Sequence, residues 1–169
     1  MLSRTADHLY WMARYTERAE NTVRMLDVCY RMSLLPGTNG GDTEGWSAIL
    51  DISELSEAFA RTGRPLTARD VIEFVALDRD NPSSVWNCLR AARENAHAVR
   101  GTLTAEMWET TNATWLEIRE VTPQKLQGMD LGEFFEWVKF RSHLLRGVTF
   151  GTMLHDEAFK FVRLGTFLE

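Results

Sequence analysis

The chain has 169 residues, 44% hydrophobic and 25% charged, which is enough for one domain with its own core and excludes a disordered or bilayer-embedded polypeptide. Nineteen Lys and Arg against 24 Asp and Glu leave a formal charge of −5, which argues against a dedicated nucleic-acid binder. With only four prolines and apolar residues recurring at helical spacing, the prediction is an all-α fold: a multi-helix bundle in one domain over residues 1–169, built on a long central N-terminal helix.

Ser3 is placed to cap that helix, which should run from about Arg4 to Leu35 and stop at Pro36-Gly37. Leu9, Met12, Ala13, Thr16, Ala19, Val23, Leu26 and Tyr30 fall on one arc, while Trp11, Met25 and Cys29 lie nearly opposite. A helix apolar on two sides belongs in the middle of a bundle. Arg18 sits on the second face, one heptad from both Trp11 and Met25, so its guanidinium is expected to be partly buried and to need a carboxylate or several carbonyls. Glu17, Glu20, Arg24, Asp27 and Arg31 follow at steps of three and four and form one charged stripe. The stripe reads either as a solvated ion-pair ladder beside a register-fixing arginine, or as a polar groove that binds a charged group.

Thr38 to Gly45 is the most loop-like stretch. Short helices are expected around Trp46–Arg61 and, after Gly63-Arg64-Pro65, over Thr67–Leu77, where Thr67 and Asp70 resemble a capping box. Asp80-Asn81-Pro82-Ser83-Ser84 reads as a turn with capping hydroxyls feeding a helix to about Arg100. On that helix Arg90, Arg93, His97 and Arg100 share one face. Arginine's rigid fork suits carboxylates and phosphates, so this face either answers acidic residues of a neighbouring helix, Glu17 or Glu20 being candidates, or forms an anion site for a peptide carboxylate or phosphate. Thr102 or Thr104 caps a helix to about Glu120, Thr122-Pro123 breaks it, Asp130–Met153 forms the next, and Asp156 begins the last. No segment alternates with period two, so strands are not expected.

The last helix meets the end of the chain in mid-stripe, at Phe161 to Glu169, without glycine, proline or polar cap, which is the pattern of a chain cut short. Phe161, Leu164 and Leu168 would then be exposed, and a homodimer or swapped arrangement through this end is expected. Shifted back by 152 positions, Leu164–Glu169 falls on Met12–Glu17, with Gly165 on Ala13 and Glu169 on Glu17.

Cys29 and Cys88 lack Cys-x-x-Cys spacing and read as buried thiols in a reducing compartment. The polar N-terminus MLSRTADHLYW and the lack of any ~20-residue apolar run place the protein in the cytoplasm, away from membranes. Glu94-x-x-His97 has the spacing of metal ligands in ferritin-like bundles but lacks a second copy, so no metal site is expected. No Gly-x-Ser-x-Gly, P-loop or dinucleotide fingerprint occurs, and no cofactor is expected.

Ser3-Arg4-Thr5-Ala6, Leu9-Tyr10-Trp11, Tyr15 through Asn21 (YTERAEN), Leu77 through Ser84 (LDRDNPSS), Ala91 through Ala96 (AARENA), Gly147, Gly151-Thr152-Met153 and Asp156-Glu157-Ala158 together resemble the bacterial alpha-E domain family, a helical group named for a Glu-Arg motif. The resemblance spans nearly the whole chain; His97 and His155 stand where the family leads one to expect arginine. It implies a second Glu-Arg motif, of which Glu169 is the first residue, so that the weak echo becomes a pseudo-repeat. It also implies a setting beside circularly permuted ATP-grasp ligases and transglutaminase-like proteins, hence peptide synthesis or modification. Two functions follow as expectations. One is a non-catalytic accessory domain that binds such a ligase, a transglutaminase-like protein or a peptide. The other is an enzyme of the same pathway, with Glu17 or Glu20 as general base and Arg18 or Arg24 holding a carboxylate. The candidate binding residues are Glu17, Arg18, Glu20, Arg24, Asp80, Asn81, Arg90, Arg93 and Arg100.

Overall fold

The computed structural model describes residues 1–35 and 43–169. Among them lie nine helices and no strand: α1 (Ser3–Ser33), α2 (Thr43–Ile52), α3 (Ser56–Arg61), α4 (Ala68–Leu77), α5 (Val85–Ala98), α6 (Ala105–Arg119), α7 (Pro123–Gly128), α8 (Leu131–Thr152) and α9 (Glu157–Phe167). The all-α bundle is confirmed.

The polar residues at helix starts act largely as their chemistry requires. Thr67, Ser84, Thr104, Thr122, Asp130 and Asp156 each turn a side-chain oxygen onto an orphan N–H of the following first turn. Thr122-Pro123, expected only to break a helix, also starts α7, because proline is well suited to a first helical position. At α1 the expectation fails: the helix begins one residue early, Leu2 is the cap residue without a side-chain hydrogen bond, and Ser3 lies inside the first turn. Thr43 to Gly45, read as loop, are the first turn of α2; Thr38 to Asp42 and the Pro36-Gly37 stop lie outside the described residues.

α1 packs against α5, α9, α8, α4 and α2, which bears out its central position. Two apolar clusters share it. Ala19, Val23 and Leu26 join Val75, Val85, Phe135 and Val138 in one, whereas Leu9, Met12 and Ala13 join Met107, Leu145, Phe159 and Val162 in the other. Glu17 and Arg18 fall on the segment of α1 between them. α9 crosses α1 very closely at Gly165: a methyl there would run into the Tyr10 carbonyl oxygen and stand 3.1 Å from the Ala13 Cβ. The small residues that coincide in the sequence echo, Ala13 and Gly165, are thus the ones that meet.

Candidate functional site: a Glu-Arg motif shared between two neighbours

Adjacent residues on a helix point about 100° apart, so Glu17 and Arg18 cannot serve the same partner. Glu17 faces α8. Arg146 brings its Nε within 3.1 Å of Glu17 Oε1 and donates from Nη2 to Glu17 Oε2 at 3.3 Å. The same Nη2 donates to Glu20 Oε2 and, at 3.2 Å, to the Ser142 hydroxyl. Glu20 is only 2% exposed. Its Oε1 accepts from Arg24 Nε at 2.9 Å and lies 3.1 Å from His143 Nε2. One heptad on, Asp27 accepts from Arg31 Nε at 2.7 Å and from Lys139 Nζ at 2.9 Å. The solvated-ladder reading is corrected on this point: Glu20 and Asp27 are buried, and the stripe is a seam that meets Lys139, His143 and Arg146 of α8.

Arg18 faces the other way. Its Nε and Nη2 donate to Glu169 Oε1 and Oε2 at 2.6 and 3.1 Å, a bidentate pair, and Arg14 Nε lies 2.8 Å from Glu169 Oε2. The expectation of a partly buried guanidinium holds, and of its two possible partners, a carboxylate or several carbonyls, it takes the carboxylate: its side chain is 29% exposed and that of Glu169 13%. The carboxylate is the one the echo aligns with Glu17. Donating hydrogen bonds to Glu169 raises the Arg18 pKa above its usual value. Cys88, buried beneath this pair, has its thiol pushed up to about 12 by burial, as expected of an inert thiol, while Cys29 is half-buried.

Glu17 and Glu20 share Arg146 yet shift in opposite directions. Burial lifts the Glu17 carboxyl above its usual value, only partly offset by the Arg146 charge. Burial also pushes at Glu20, but hydrogen bonds from Ser142 and Arg24 together with the Arg146 charge outweigh it and hold the group below its usual value. Glu17 additionally borders a slot of about 120 Å³ between α1, α8 and α9, walled by Met12, Leu145, Phe150 and Val162.

The α5 arginines do not meet Glu17 or Glu20, which corrects that expectation. Together with Arg79 of the turn before α5, they lie over tryptophan rings instead. Arg79 and Arg90 stand 4.8 and 5.4 Å from the centre of the Trp86 ring, and Arg93 and Arg100 stand 5.5 and 5.0 Å from that of Trp108. Arg90 has Glu94 at 3.8 Å and Arg93 donates to Asn112 at 3.2 Å, whereas Arg79, Arg93 and Arg100 have no carboxylate within ion-pair distance among the described residues. Asp80 is exposed, and its backbone N–H donates to Asp78 at 2.9 Å. Asn81, 2% exposed, ties the turn together by donating to the Phe74 carbonyl at 3.2 Å and accepting from Ser83 N–H at 3.0 Å. Sequence reasoning brought together Glu17, Glu20 and Arg24 but missed Lys139, His143 and Arg146, although their steps of four and three make a stripe complementary to that of α1. It also missed Trp86 and Trp108, which anchor the arginines.

The family model of Alpha-E, described as a predicted alpha-helical domain with a conserved ER motif, matches residues 1–169. The chain belongs to the Alpha-E family. Glu17-Arg18 is the one Glu-Arg dipeptide in its sequence, so the motif that names Alpha-E is the pair that divides between α8 and Glu169. Comparison with curated proteins and with solved structures finds no match. No described helix is long and apolar enough to cross a membrane, and no group of three or more potential metal ligands occurs among the described residues. Glu94 instead pairs with Arg90, and His97 lies against the Trp108 ring.

Proposed function

We propose that this Alpha-E domain is a non-catalytic accessory domain, working beside a circularly permuted ATP-grasp ligase or a transglutaminase-like protein in peptide synthesis or modification. In this reading it docks an acidic segment of that partner, or of its peptide substrate, on the Arg–Trp face of α5 and α6. The observation that carries the reading is the lack, among the described residues, of counter-ions at Arg79, Arg93 and Arg100 in a chain of net charge −5. Cations held over aromatic rings, with no carboxylate partner among the described residues, favour an external carboxylate. Titrating the neighbouring ligase or transglutaminase-like protein against the domain tests this. Binding should weaken with salt and fall about tenfold in the Arg93→Gln/Arg100→Gln variant; no capture at moderate salt, or unchanged capture by the variant, contradicts it.

A second reading, an enzyme of the same pathway, draws support from Glu17 alone among the candidate bases: it is half-buried, borders the slot and has a raised pKa. Glu20 is held ionised by three donors, and Arg18 is occupied by Glu169. Loss of turnover in Glu17→Gln with docking intact favours this reading; docking without turnover in the parent protein favours the first. Self-association is part of the proposal: Leu164 and Leu168 are exposed beside a groove between α1 and α9, whereas Phe161 is half-buried against the second apolar cluster. A dimer by light scattering at high concentration supports it and a monomer contradicts it.

A further inference from the structure

We propose that the slot between α1, α8 and α9 is a binding site for an aliphatic carboxylate, which seats a branched apolar group between Met12, Leu145 and Val162 and its carboxylate on Arg163. This goes beyond the docking reading and does not depend on it, since the slot and the Arg–Trp face lie on different helices.

Three observations converge. The slot's hydroxyls are already spent: Thr16, Thr149 and Thr166 donate to the Met12, Leu145 and Val162 carbonyls of their own helices at 2.9, 2.7 and 3.2 Å, and Ser142 accepts from Arg146. The interior therefore presents methyl and methylene groups and offers little to a polar guest. Its volume of about 120 Å³ is slightly below the ~150 Å³ of an apolar cavity that admits benzene, so a group the size of a leucine side chain fits.

The charges of the wall are balanced except at one place. Glu17 and Glu20 are answered by Arg146 and Arg24. Arg163, on the slot's rim, has no carboxylate within ion-pair distance among the described residues. Its guanidinium instead stands 5.7, 5.9 and 5.0 Å from the centres of the Phe150, Phe159 and Phe167 rings. An apolar slot with one uncompensated guanidinium at its mouth selects a guest that is apolar at one end and anionic at the other. A guest of this kind is either a free short-chain acid or the C-terminal residue of a peptide.

The test is an NMR titration of the whole chain with N-acetyl-L-leucine, isovalerate, N-acetyl-alanyl-leucine and, as the neutral control, N-acetyl-L-leucinamide. Saturable shifts at Ala13–Glu17, Leu145–Phe150 and Val162–Phe167 are expected at millimolar ligand, with the amide roughly fivefold weaker. Arg163→Gln, an exposed position whose loss leaves the fold intact, should weaken the acids by the same factor and leave the amide unchanged. Thr149→Leu should fill the slot and abolish all binding. Isovalerate binding as well as the peptide supports a free acid, and tighter binding of the dipeptide supports a peptide end. Equal affinity for acid and amide, or no effect of Arg163→Gln, overturns the carboxylate assignment. Absence of saturable shifts up to ~20 mM overturns the site itself, whatever happens at the Arg–Trp face.

Discussion

The two charged regions of this domain use arginine in opposite ways. In the seam of α1, α8 and α9, Arg18, Arg24 and Arg146 are matched to Glu169, Glu20 and Glu17, and two of the acidic residues, Glu20 and Asp27, are buried. On the face of α5 and α6, Arg79, Arg93 and Arg100 rest on tryptophan rings with no carboxylate within ion-pair distance among the described residues. The difference follows from location. Charge between packed helices has to be neutralised, because removing one member of a buried pair strands the other, whereas exposed charge is stabilised by water and costs little to leave open. The seam therefore holds helices in register, and the outer face is free to meet another molecule.

The largest effect that would break this contrast is predicted at the crossing that brings Glu169 to Arg18. Gly165→Ala drives a methyl into the Tyr10 carbonyl, which cannot turn away as a side chain would, and should cost about 2–3 kcal/mol in chemical denaturation. Glu20→Ala comes next, at about 2 kcal/mol. It leaves Arg24, Arg146 and His143 facing one another, although the first and last, about half exposed, recover part of the cost through water.

The pH dependence sharpens the comparison further. Glu20 and Asp27 are held below their usual values of 4.5 and 3.8, so their stabilising contribution is present above those values and is lost as the pH falls through the lower folded-state values. Glu17, raised above 4.5, has the opposite sign: its contribution is complete below that value and is lost as the pH rises through the folded-state value. Stability measured against pH should therefore fall more gently as the pH rises above 4.5 in Glu17→Gln than in the parent, with acid unfolding retained. The smallest effect is on the outer face, where Arg93→Gln/Arg100→Gln should change stability by no more than ~0.5 kcal/mol while weakening docking.

Much of this organisation is legible in the sequence because it rests on local chemistry. Thr67, Thr104, Asp130 and Asp156 announce their helices through the orphan N–H groups they cap, and the two-sided apolar pattern of α1 requires neighbours on both sides. Partner choice is another matter. Arg18 demands a carboxylate or several carbonyls from its position on α1 alone, yet that the partner is the carboxylate of Glu169 depends on how closely α9 crosses, which Gly165 permits only in three dimensions. The α5 arginines looked like natural partners for Glu17 and Glu20, but helical phase turns them away and gives the place to Arg146 and His143. α7 was hidden because a Thr-Pro pair both ends one helix and begins another.

The central claim is that the Glu-Arg motif works as an internal clamp. A double-mutant cycle on Arg18→Ala and Glu169→Ala, read by chemical denaturation, addresses it most directly. A favourable coupling of about 0.5–1 kcal/mol is predicted for this bidentate, partly exposed pair. Strictly additive effects, with no coupling between the two positions, would contradict it.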